Sequence, residues 1–136
     1  MDTSKMISKE GVKQSIQDLI QAGTTFDIDA LERIYHKNLQ VITIDLDDNV
    51  SIADKAAFKG LFETKLKNGS KPLSTWAKFD HIQVNDHNAH VLISRKVNLA
   101  GDDQYLVLSI DLIFEDNRWQ VTREVIFARP DSLLSK

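Results

Sequence analysis

Residues 119–127 read WQVTREVIF. As an extended strand, this stretch sends Trp119, Val121, Arg123, Val125 and Phe127 to one face, because strand side chains alternate with a period of two. One guanidinium therefore stands in an otherwise apolar row. The same alternation runs upstream to Ser74, broken by NDHN at 85–88, AGDD at 100–103 and EDNR at 115–118. Short clusters of this kind are turn chemistry, so three turns separate four long strands of an antiparallel meander.

Before Ser74 the period becomes helical. Ser8 is placed to cap a helix carrying Val12, Ile16, Leu19 and Ile20, which ends near Gly23. DALE at 29–32 reads as a capping box, Asp29 with Glu32, opening a short helix closed by Tyr35 and His36. Val41–Ile44 and Val50–Ile52 flank the turn residues Asp47, Asp48 and Asn49, which makes a short hairpin. A third helix follows, capped by Asp54, striped by Phe58, Leu61, Phe62 and Leu66, and ended by Gly69. The segment PDSLLSK at 130–136 frays or lies on a neighbouring surface.

Centring each turn sets a register. NDHN places Ile82 opposite Val91 and Asp80 opposite Ile93. AGDD places Val97 opposite Leu106 and Arg95 opposite Leu108. EDNR places Ile110 opposite Arg123. One face then holds the aliphatic residues together with Trp76, Lys78, Asp80, Arg95, Trp119, Arg123 and Phe127, and the helices must cover it. The other face holds Phe79, Leu92, Tyr105, Val107, Ile113 and Ile126 among polar residues. A β-bulge in any strand would invert part of this assignment.

The chain has 136 residues, which suits one domain, with a core at about 8–129. Hydrophobic residues make up 42%, enough for a core, and the net charge of −3 is spread without a basic stripe. Nucleic acid and an anionic membrane surface are therefore not expected partners. There are no cysteines, which excludes disulfides and thiolate chemistry. No signal-like or membrane-spanning run is read, so the expected location is cytoplasmic.

Two segments carry a family resemblance: DIDALERIYHKNLQVITIDLDDNVSIADKAAF at 27–58 and NRWQVTREVIFARP at 117–130. The chain resembles the nuclear-transport-factor-2-like superfamily, and within it the SnoaL-like domains. The likeness covers nearly the whole length. It implies an α+β cone, with three N-terminal helices and a short hairpin packed on a curved antiparallel meander sheet and a cavity at the open end. That superfamily includes ketosteroid isomerase, scytalone dehydratase, polyketide cyclases and proteins without known activity, so fold does not settle chemistry. Carried over residue by residue, the isomerase's general base falls at Thr43 and its oxyanion-donating tyrosine at Leu19. Neither side chain performs those roles.

The candidate site follows from the register. Arg95 and Arg123 beneath the helices anchor an anionic group, such as a carboxylate, of a small organic ligand. Trp76, Trp119 and Phe127 supply apolar walls, and Tyr35 stands at the edge as a donor. A structural ion pair of Arg95 with Asp80 is the competing reading. Asp80 is also the candidate base for a cofactor-independent lyase, isomerase or cyclase, although nearby cations would lower its pKa. Resemblance further implies a homodimer through the outer face, with Phe79, Leu92, Tyr105, Val107, Ile113 and Ile126 at the interface. A dimeric adaptor without a ligand is the third reading. No cofactor is called for. His81 and His90 share the outer face, with His87 in the adjoining turn, but no carboxylate completes a metal shell, so no metal site is expected.

Overall fold

A computed structural model describes residues 5–71, 73–97 and 104–129. Helix α1 spans Lys9–Thr24, and the Ser8 hydroxyl accepts the Gly11 N–H at 3.1 Å. Its buried face includes Val12, Ile16, Leu19 and Ile20, as their spacing predicts. Helix α2 spans Ile28–Ile34 and is capped by Asp27, not Asp29; the Asp27 carboxylate accepts the Ala30 N–H at 3.2 Å. Glu32, expected in a capping box, reaches instead to Lys55 and Lys59 and ties α2 to the third helix. Tyr35 does not close α2. It opens strand β1, Tyr35–Ile44, and His36 follows in the same strand.

Strand β2, Val50–Asp54, returns beside β1 with Ile44 opposite Val50 and Ile42 opposite Ile52. Helix α3, Lys55–Lys67, starts on the Asp54 carboxylate, which accepts the Ala57 N–H at 2.8 Å. Gly69, at φ +66, lies just beyond the helix end, in a conformation that glycine adopts without strain. The apolar stripe of α3 is narrower than expected: Phe58 and Phe62 pack inward, whereas Leu61 and Leu66 face solvent. Among the described residues no helix is long and apolar enough to cross a membrane.

The meander consists of β3 (Ala77–Asn85), β4 (Asn88–Val97), β5 (Gln104–Glu115) and β6 (Arg118–Arg129). The hairpin joins the same sheet, whose order is β2-β1-β6-β5-β4-β3, with β1 parallel to β6. The AGDD turn and PDSLLSK lie outside the described residues.

Both of the other two turn-centred registers hold near their turns and fail beyond a bulge. Asp116 and Asn117 both have positive φ, 56° and 63°, as a two-residue type I′ turn requires. From there Glu115 opposes Arg118 and Leu112 opposes Val121, as centring EDNR predicts. Then Asp111 opposes Arg123, which leaves Thr122 as an extra residue in β6. Its hydroxyl donates to the Asp111 carbonyl at 3.3 Å. In β3 the register holds from Asn85 opposite Asn88 to His81 opposite Leu92; then Phe79 opposes Ile93, and Asp80 is the extra residue. The β4–β5 register is shifted by two residues, with Arg95 opposite Leu106. A shift of two preserves faces; a bulge of one inverts them.

The consequence for β6 is direct. Trp119 and Val121 face the helices, but beyond Thr122 the inward residues are Glu124 and Ile126. Arg123 and Phe127 face outward and are exposed. On β5, Leu106, Leu108, Ile110 and Leu112 form the inward row and pack with Val91, Ile93 and the buried face of α1.

Candidate functional site

Between α1, α3 and the inner sheet face lies a cavity of about 80 Å³, roughly half the ~150 Å³ of an apolar cavity that admits benzene. Leu19 and Ile20 from α1, Phe58 and Phe62 from α3, and Leu106 and Leu108 from β5 form most of its walls. Its polar side chains are Thr24, Tyr35, Arg95 and Glu124. Thr24 donates its hydroxyl to the Gln21 carbonyl at 3.2 Å, so it is committed within its own helix.

Arg95 enters from β4 and is 9% exposed. Its Nε donates to the Trp76 carbonyl at 2.9 Å, and one Nη donates to the Ser74 carbonyl at 2.7 Å. These bonds fix the guanidinium plane and leave the other Nη without a partner among the described residues. Glu124 enters from β6 and is 3% exposed. Among the described residues its carboxyl makes no hydrogen bond, and no guanidinium or ammonium nitrogen lies within 4.0 Å of it. No fully enclosed side-chain nitrogen or oxygen lacks a partner there either, so the Glu124 oxygens reach the free space of the cavity.

Burial pushes the Glu124 carboxyl up to about 7, against the opposing pull of the Arg95 charge. Tyr35, at the start of β1, is buried edge-on against Phe58 with ring centroids 5.7 Å apart. Burial, and secondarily the Glu124 charge, hold its phenol proton well above the ordinary range. It is therefore a neutral donor. The cavity thus offers a cation with a spare N–H, a carboxyl that exchanges its proton near neutrality, and a hydroxyl.

Of the residues expected to form the site, Arg95 and Tyr35 line this cavity. Arg123 does not: the Thr122 bulge turns it outward, where it donates to the Gln40 side chain at 3.4 Å. Asp80 does not, because it is the bulged residue of β3; it accepts the Ser94 hydroxyl at 2.7 Å on the outer face and lies 3.7 Å from Lys78. The expected ion pair of Asp80 with Arg95 is therefore replaced by an electrostatic pairing of Arg95 with Glu124. Trp76 stands on the sheet exterior with Tyr105 and beneath Lys96. Trp119 is buried, but away from the cavity: its indole N–H donates to the Met6 carbonyl at 2.7 Å, and its ring packs on Phe114. Phe127 is exposed. Phe79 and Ile126, read as outer-face residues, are inward, and Ile126 lines the cavity.

On the outer face the His90 ring lies 2.7 Å from Asp111 and 3.4 Å from the Ser109 hydroxyl. The order mimics a Ser-His-Asp relay. Ser109, however, sits in an interior strand whose N–H groups are spent on the ladders to β4 and β6, which leaves none to receive an oxyanion.

No protein-family model matches the chain, and no curated protein does. Solved structures do. One, an NTF-2 like protein of unknown function from Silicibacter pomeroyi, superposes with a TM-score of 0.73 over 95% of this chain and 100% of its own, at 17% identity. The fold is that of the NTF2-like proteins. An NTF2-like protein from Cytophaga hutchinsonii gives 0.71 over 90% of this chain and 98% of its own, at 14% identity. Another of unknown function, from Shewanella baltica, gives 0.68 over 88% and 91%, at 14% identity. The residue that the sequence reading missed in this NTF2-like fold is Glu124, assigned to the outer face by unbroken alternation. Its signal was weak: Val121 and Ile126 are both apolar but five apart, which places them on one face only if a residue bulges between them.

Proposed function

We propose that the protein binds a small organic molecule in the cavity beneath α1 and α3. Its apolar body lies against Leu19, Phe62 and Leu108, and its polar end at Arg95, Glu124 and Tyr35. The observation that carries this reading is a carboxyl 3% exposed, without a hydrogen-bond partner among the described residues, in a mostly apolar hollow. A buried polar group of that kind is unfavourable unless something else satisfies it. Arg95 remains the anchor for an anionic group, now without Arg123 and in one cavity with a carboxyl. Any proton-transfer chemistry, of the lyase, isomerase or cyclase kind, falls to Glu124 rather than Asp80.

Thermal unfolding with short carboxylic acids and amides tests the reading. A ligand at ten times its Kd stabilises the folded chain by about 1.4 kcal/mol, a shift of a few degrees. Leu108→Trp fills the hollow and is expected to abolish that shift while the chain stays folded. A shift that persists in the filled variant would place binding elsewhere.

We further propose a homodimer through the outer face. Val50 and Ile52 are 61% and 64% exposed, and Phe127 is 38% exposed. Cross-strand pairing joins them to Ile42, Ile44 and Val125 in one apolar strip running over β2, β1 and β6. A strip free of charge is complementary to itself, which suits a second copy of the chain. Leu92, Tyr105, Val107 and Ile113 keep their outward positions beside it. Native mass spectrometry is expected to find a dimer that Ile52→Lys with Phe127→Lys converts to monomer; a monomeric parent protein contradicts it.

A further inference from the structure

The polar end of the cavity limits what it accepts, given the binding reading above. Arg95, from β4, and Glu124, from β6, both line this one cavity, neither is bonded to the other, and each has unused hydrogen-bonding capacity among the described residues. A ligand group that spans them must accept from the guanidinium and share a hydrogen with the carboxyl. We propose that the cavity takes a short apolar monocarboxylic acid, whose carboxyl shares one proton with Glu124 while its second oxygen accepts from Arg95.

Charge decides the proton count. An ionised ligand and an ionised Glu124 would put two negative charges beside one guanidinium in an apolar hollow. Two carboxylates at one site do not both stay ionised; one keeps a proton. The O–H···O⁻ bond so formed is short and strong. Among the described residues, the groups lining the cavity with Glu124 offer no other source for that proton. Tyr35 retains its own, Arg95 is a cation, and the facing residues of α1, α3 and β5 do not titrate. Above neutrality, then, binding draws one proton from water. Below it, Glu124 already carries the proton. The volume of about 80 Å³ favours chains near the size of butanoate.

Butanoate and butanamide, each titrated into the full chain at pH 6 and pH 8.5 and followed by amide NMR shifts of cavity residues, separate the outcomes. Butanoate affinity is expected to fall about 30-fold between the two pH values, as the protonated fraction of a group titrating near 7 falls. Butanamide affinity is expected not to fall. Glu124→Gln, whose side-chain amide donates as the protonated acid does, should bind butanoate equally at both pH values. A butanoate affinity that stays flat in the parent protein overturns the shared proton, as does a variant whose affinity still falls. Failure of both compounds to shift cavity residues at either pH overturns the binding reading itself.

Discussion

Replacing Glu124 by glutamine is expected to raise folding stability by about 3 kcal/mol at pH 8 and to change it little at pH 4. Below about pH 4.5 the carboxyl is protonated in both the folded and the unfolded chain, and its ionisation contributes nothing. Between about 4.5 and about 7 only the folded chain keeps the proton, so stability falls as pH rises. Above about 7 that loss is complete, and a shift from 4.5 to about 7 corresponds to about 3 kcal/mol. Glutamine has the shape of the protonated acid and never ionises. Urea unfolding of both proteins at pH 4 and pH 8 measures the difference. Equal stability changes at the two pH values would mean that Glu124 is solvated.

Arg95→Met should act in the opposite sense. It removes the bonds to the Trp76 and Ser74 carbonyls and deprives a buried carboxylate of the cation that, among the described residues, holds its charge. The loss is expected to be larger at pH 8, where the carboxylate is ionised and loses the nearby Arg95 charge, than at pH 4. At pH 4, with Glu124 neutral, only the hydrogen bonds are lost, about 1–3 kcal/mol. The pairing also makes the two residues non-additive. Adding Glu124→Gln to Arg95→Met should therefore recover more at pH 8 than the about 3 kcal/mol it contributes in the parent protein, as expected for residues coupled at one site. The same four proteins unfolded in urea decide it, and strict additivity would show that the two groups do not sense each other.

Much of the fold was legible because local chemistry and tertiary structure agree. Ser8 and Asp54 cap the helices they were expected to cap, and the turn residues at 116 and 117 adopt the φ values a tight hairpin needs. The reading failed where a single residue is inserted. Alternation through β6 gives an inward row of Val121, Arg123, Val125 and Phe127; a bulge at Thr122 gives Val121, Glu124 and Ile126. Each row buries one charge among apolar neighbours, so hydrophobic pattern alone does not separate them. What does is pairing: β1 lies parallel to β6 with Val41 opposite Glu124 and Tyr35 opposite Val121, and a parallel contact between distant segments leaves no turn to count from. Asp80 was misplaced by the same mechanism in β3. Arg95 was placed correctly because the error in its hairpin register was two residues, an even number.

Glu124 lies on the inner face of the sheet, in one cavity with Arg95, instead of on its exterior. A pH titration of the Glu124 side-chain carboxyl carbon by NMR, in uniformly carbon-13-labelled protein, measures this most directly. A midpoint near 7, moving higher in Arg95→Met, is the predicted result. A midpoint near the ordinary 4.5 would mean that β6 runs without its bulge and that Arg123 is the inward charge.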